Sequence, residues 1–167
     1  MDAFHREVER VLRYQHTICL LMMDIDGLKQ INDNFGHTAG DVALRAVADI
    51  LKASVRESDI LARLGGDEFV IVMPLADKAS GVVLAKRIRE RLVRWNVKPV
   101  ISGITLGLSI GIQEAGPENV NDILKNADKE MYRNKASRKS AEKITSEDEM
   151  RSYLRKKIQK KDPSPFS

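Results

Sequence analysis

Two short acidic groups in this chain have side chains suited to chemistry. Asp24-Ile25-Asp26 closes an apolar run, and Asp67-Glu68 follows the pair Gly65-Gly66. Carboxylates delivered by a buried strand are costly unless they pair or bind metal. Magnesium takes hard oxygen ligands, usually one or two carboxylates completed by phosphate oxygens. Two such ions about 3.5–4 Å apart can organise in-line displacement at phosphorus. Strand alternation places Asp24 and Asp26 on one side and turns Ile25 into the core, with its backbone carbonyl on offer. Glycine lets a backbone approach a phosphate closely. Singly, each feature also reads as a tight hairpin, a polar strand start or a strand end. Together they predict a nucleoside triphosphate and divalent-metal site around Gly65-Gly66-Asp67-Glu68-Phe69.

These residues need elements to hold them. Residues 3–14 read as an amphipathic helix, with Phe4, Val8, Val11 and Leu12 on one face. Residues 17–25 are almost continuously apolar and suit a strand buried on both faces. Residues 38–54 form a helix with Leu44, Val47, Ala48 and Leu51 in a stripe, and Thr38 with Asp41 resembles a capping box. Residues 59–64 and 67–73 read as a hairpin around Gly65-Gly66. A second long helix spans 78–94, with Leu84, Ile88 and Leu92 inward. Strand material follows at 100–112, a third long helix at 121–137 and a charged helix at 141–160. The Asp162-Pro163-Ser164-Pro165 end reads as disordered. The interleaving predicts an α+β fold: a mixed central sheet flanked by helices, of the split βαβ, ferredoxin-like kind.

Composition narrows the class. A chain of 167 residues favours one domain with a real core. Cys19, the single cysteine, lies in the apolar run and reads as core filling; it supports no disulfide framework and fits a reducing cytoplasmic setting. No apolar run approaches the ~20 residues that span a bilayer, so no direct membrane contact is expected from this segment, although a parent protein could be anchored. Residues 133–167 hold 11 Lys/Arg against 5 Asp/Glu, while residues 1–132 hold 17 against 19. The basic excess therefore belongs to the tail, where a solvated helix face is the simpler reading than nucleic-acid contact. No Gly-x-x-x-x-Gly-Lys-[Ser/Thr] loop occurs, which removes a Walker-type NTPase.

The block Asp24-Ile25-Asp26-Gly27-Leu28-Lys29-Gln30-Ile31-Asn32-Asp33-Asn34-Phe35-Gly36-His37-Thr38-Ala39-Gly40-Asp41, followed by Arg63-Leu64-Gly65-Gly66-Asp67-Glu68-Phe69, resembles the GGDEF family of diguanylate cyclases. These bacterial enzymes make cyclic di-GMP from two GTP molecules. The resemblance covers roughly residues 3–140 and implies a nucleotide-cyclase palm-type fold whose hairpin carries the signature turn. It implies a catalytic domain over 1–140 and a basic helix or tail over 141–167. It assigns two Mg²⁺ or Mn²⁺ ions per site to Asp24, the Ile25 carbonyl, Asp67 and Glu68. Glu68 is implied in metal binding or in activating the attacking 3′-hydroxyl, and Lys29 faces the phosphates. Gly65 and Gly66 run beside the phosphates, and Lys135 and Lys139 hold their terminal end. Guanine is read by Asn32 and Asp41; the aspartate accepts from guanine N1–H and N2–H₂, a donor pair that adenine lacks. Arg56 and Asp59, in the pattern Arg-x-x-Asp, match an inhibitory product site, joined by Arg87 from another subunit.

The chain also departs from the family pattern. Leu28 stands for a usual phenylalanine, Gly107 for a common threonine, and Ser137-Arg138-Lys139-Ser140 for Ser-Gly-Arg-Asn. The family's opening Asp-x-Leu-Thr-Gly-Leu-x-Asn-Arg is not found ahead of the first helix, so either the sequence is a truncated piece or the N-terminal wing is missing, which bears on dimer geometry and regulation more than on metal chemistry. The implied partners are GTP, cyclic di-GMP, a transient homodimer and an unseen sensor or regulatory domain. The alternative is a catalytically silent module that binds GTP or cyclic di-GMP.

Overall fold

The eight residues Ile18–Ile25 form β1, and every one of them is buried. In the computed structural model, which describes residues 2–137, β1 runs through the centre of a four-stranded sheet ordered β2-β3-β1-β4. The other strands are β2 (Ile60–Gly65), β3 (Glu68–Pro74) and β4 (Leu108–Ala115). All three pairings are antiparallel, so the sheet is more uniform than a mixed one. The order of elements from β1 to β4, with helices between β1 and β2 and between β3 and β4, is the ferredoxin-like arrangement.

Both faces of the sheet are covered, which explains why β1 shows no polar alternation. Cys19, Leu21, Met23 and Ile25 pack in one cluster, with residues of α2 (Leu28–Phe35), α3 (His37–Lys52) and α4 (Lys78–Val97). Ile18, Leu20 and Met22 pack in the other, with Val11 of α1 (Asp2–Tyr14) and with Ile123, Ala127 and Met131 of α5, residues 123–134. Each large apolar side chain so buried contributes about 1.5–3 kcal/mol. Burial pushes the Cys19 thiol up to about 12, aided by the charges of Glu114 and Asp77, so this group is core filling.

Helix α5 also closes the β4 edge. Asn134 Nδ2 donates to the Ile110 carbonyl at 2.7 Å, and the Ile112 N–H donates to Glu130 Oε2 at 3.1 Å. These side chains take backbone groups that an edge strand would otherwise leave open. No helix among the described residues is long and apolar enough to cross a membrane.

Four local expectations change. Helix α2 was not foreseen. The Thr38–Asp41 capping box does not form: Gly36 caps α3 without a side-chain bond, and Thr38 lies within the helix. The hairpin turn is Gly66-Asp67, because Gly65 still pairs with Glu68 after a register shift from Arg63. Residues 100–107 form no strand. There Asn96 acts as a strand would, its amide accepting from Leu106 N–H at 2.8 Å and donating to Leu106 O at 2.9 Å.

The chain divides into two units, Met1–Asn134 and Lys135–Ser167. Of the second, residues 135–137 are described and are helical. Arg138, Lys139, Ser140, the charged helix expected at 141–160 and the Pro-containing end lie outside the described residues.

Candidate active site

Strand register assembles the acidic centre. Asp24, the penultimate residue of β1, is partnered by Glu68 of β3 on one side and by Ser109 of β4 on the other. Asp24 is only 5% exposed. Cross-strand partners have Cβ atoms about 4.5–5.5 Å apart, and like charges at that spacing repel. Ile25 faces the opposite cluster and is fully enclosed, as its place in the strand alternation requires. Its N–H donates to the Asp67 carbonyl at 3.1 Å, which fastens the hairpin turn to the end of β1. Asp67 and Glu68 are both half-buried.

The turn itself is held by a residue to which sequence reasoning gave no role. Gly66 has φ +52, a left-handed conformation that favours glycine. Its carbonyl accepts from Arg63 Nε at 3.0 Å and from Arg63 Nη2 at 2.6 Å. A cation two residues before a Gly-Gly turn is the signal that could have revealed this clasp.

Asp26 shares the face of Asp24 but is engaged elsewhere. Ser109 Oγ donates to Asp26 Oδ1 at 2.6 Å, and Asp26 N–H donates to the Gly107 carbonyl at 3.0 Å. Asp26 thus ties the exit of β1 to β4 and sets the start of α2, which carries Lys29 and Asn32. Ser109, buried at 1% exposure, was another residue without an expected role.

Asn32 and the residue before Asp41 are brought into contact. A Cβ on Gly40 would collide with the Asn32 side-chain amide, lying 2.9 Å from its Cγ. Glycine inside α3 therefore seats Asn32 against the helix turn that also presents Asp41 at the surface. An internal helix glycine costs about 1 kcal/mol against alanine, and that cost was the readable sign of a close approach. Lys29 is exposed on α2.

Arg56 and Asp59 form a closed turn before β2. The Arg56 N–H donates to Asp59 Oδ2 at 2.9 Å, and the Asp59 N–H donates to Arg56 O at 3.1 Å. Arg87 is half-buried on α4, and its Nε has no hydrogen-bond partner. Lys135 belongs to the second unit, and Lys139 is not described.

The donor set fits a hard divalent cation. It consists of carboxylate and backbone oxygens, and a cation would relieve the Asp24–Glu68 opposition. Among the described residues no three His, Cys, Asp or Glu side chains form a ready-made cage.

The diguanylate cyclase GGDEF domain family matches residues 1–141. The chain is 34% identical to diguanylate cyclase A of Treponema denticola over 125 residues, covering 72% of this chain and 33% of that protein. It thus spans about a third of that relative's length. The GGDEF domain of YfiN from Pseudomonas aeruginosa superposes with a TM-score of 0.71 at 32% identity, covering 81% of this chain and 86% of that one. The GGDEF domain of DgcB from Caulobacter crescentus, solved in complex with c-di-GMP, gives 0.72 at 26% identity, covering 81% and 82%. With the signature turn fastened to the acidic end of β1 and this match across most of its length, the chain belongs to the GGDEF domain family.

Proposed function

We propose that this domain is a diguanylate cyclase, condensing two GTP into cyclic di-GMP with release of two pyrophosphates. The observation that carries this reading is the register of β1 on β3. It sets Asp24 opposite Glu68 and fastens the Asp67 turn beside the Ile25 backbone. Asp24, the Ile25 carbonyl, Asp67 and Glu68 would hold two Mg²⁺ or Mn²⁺ ions, which when bound offset charge on the phosphoryl oxygens.

The remaining work falls to the chain. Asn32 and Asp41 grip the guanine edge, Gly65 and Gly66 admit the phosphates against the backbone, and Lys29, Lys135 and Lys139 add positive charge along them. Two protomers face each other about a two-fold axis, as a symmetric product suggests. The 3′-hydroxyl of each GTP attacks the α-phosphorus of the other. A 3′–5′ phosphodiester forms, the α–β bridge breaks, and the hydroxyl proton passes to a base for which Glu68 is the candidate. Product returning to Arg56 and Asp59, with Arg87 of a facing protomer, restrains turnover. The reaction belongs to the cytoplasm, where GTP is available, under a sensor or regulatory domain of the parent chain.

The test is to incubate the chain with GTP and Mg²⁺ and to identify products by chromatography. Cyclic di-GMP is expected from the wild type, with at least ~10²-fold less from Asp67→Ala. Specific activity should rise with enzyme concentration. GTP binding with no product from either protein would replace this reading with a silent binding module.

A further inference from the structure

A second concave surface lies away from the acidic centre. Helices α3 and α4 leave between them a cleft of about 590 Å³, continued by Val100. Its apolar part includes Ala46, Ile50 and Trp95, and its charged part consists of Arg45, Arg91 and Arg94 against a single Asp49. Along α3 and its C-cap residue the lining runs from Val42 to Ala53. At 1.5 Å per residue that is about 17 Å, or three helical turns.

The charges of this cleft are not spent within the fold. Among the described residues no ion pair joins its arginines to Asp49 or to any other acid. Arg91 Nε is buried and has no hydrogen-bond partner, and Arg94 Nε reaches only the Glu90 carbonyl of its own helix at 3.4 Å. Arg45 and Arg94 are exposed. An apolar floor three turns long, bordered by uncommitted guanidinium groups, is complementary to a helix with an apolar stripe flanked by carboxylates. The same face of a second copy carries three arginines against one aspartate, so two copies meeting groove to groove would oppose like charges.

We infer that the α3–α4 cleft is a docking groove for an acidic amphipathic helix supplied by a regulatory partner. The groove starts one residue after Asp41 and ends three residues before Arg56. A bound helix would therefore span α3 between the proposed guanine-reading end and the proposed product-sensing turn. The inference rests on the cleft's own charge and shape and holds whether or not the domain turns over GTP.

Trp95 is the only tryptophan of the chain and lines the groove, so its fluorescence reports occupancy directly. The full chain is titrated with a designed 14-residue helical peptide bearing a leucine stripe flanked by glutamates. Parallel titrations use the same peptide with lysines in place of glutamates, and an unstructured polyglutamate of equal charge. A saturable change in Trp95 emission is expected with the acidic helix alone. The double variant Arg45→Glu/Arg94→Glu changes exposed residues, and circular dichroism verifies its fold. It should bind the acidic peptide at least ~10-fold more weakly and gain response to the lysine peptide. The inference is overturned by a flat Trp95 signal, by an equal response to polyglutamate, or by unchanged affinity in the charge-reversed variant.

Discussion

Replacing Glu68 by glutamine separates two roles that the β1–β3 register gives it. As a charge opposite Asp24 it opposes folding, and as a metal-side ligand it serves the proposed reaction. Glu68→Gln should therefore raise metal-free stability by ~0.2–1 kcal/mol while cutting cyclic di-GMP formation sharply. Thermal melts in EDTA beside product assays check both halves. Gly40→Ala makes the opposite kind of demand. Alanine improves helix propensity by about 1 kcal/mol, yet its Cβ would occupy the seat of the Asn32 amide. A raised KM for GTP is expected, with α3 retained by circular dichroism. A drop in KM would remove Asn32 from guanine reading.

At the scale of elements, α5 acts on β4 through two side chains. Glu130→Ala and Asn134→Ala each strip a backbone group of its partner at Ile112 or Ile110. Each should cost ~1–2 kcal/mol in urea unfolding and expose the edge to self-association at high concentration. The elements differ in how plainly the sequence announces them. β1 is unmistakable because its first six residues, Ile18 to Met23, form an unbroken apolar run. The long helices show through their stripes. Helix α2 is hidden because it is only eight residues long and buries one side chain, Ile31, which leaves no period to read. Residues 100–107 look like a strand because they are apolar, but the hydrogen-bonding partner of Leu106 is a side chain ten positions away. The two acidic groups that the sheet brings together, Asp24 and Asp67-Glu68, could be picked out from residue type and spacing. The anchor of Ser109 could not, because its contact with Asp26 exists only once the sheet has closed, and the clasp of Arg63 left as its sign only a cation two residues ahead of the glycines.

Across the whole molecule, stability is graded along the sheet. The centre of β1 is enclosed on both faces, while its acidic end lies where the pairing with β3 runs out into the Gly66-Asp67 turn. Strand ends open more readily than centres, so the site sits at the last rung of the β1–β3 ladder. The bond from Ile25 N–H to the Asp67 carbonyl is that rung. A ligand that draws the turn against β1 would slow the escape of a single amide proton. Hydrogen–deuterium exchange at Ile25 should therefore fall by at least ~10-fold when GTP and Ca²⁺, a hard cation chosen to limit turnover, are added, with little change at Leu21 in mid-strand. Equal slowing at both amides would indicate that ligand tightens the domain globally. One rung of the backbone ladder would then serve as an occupancy gauge, readable without any label on the substrate.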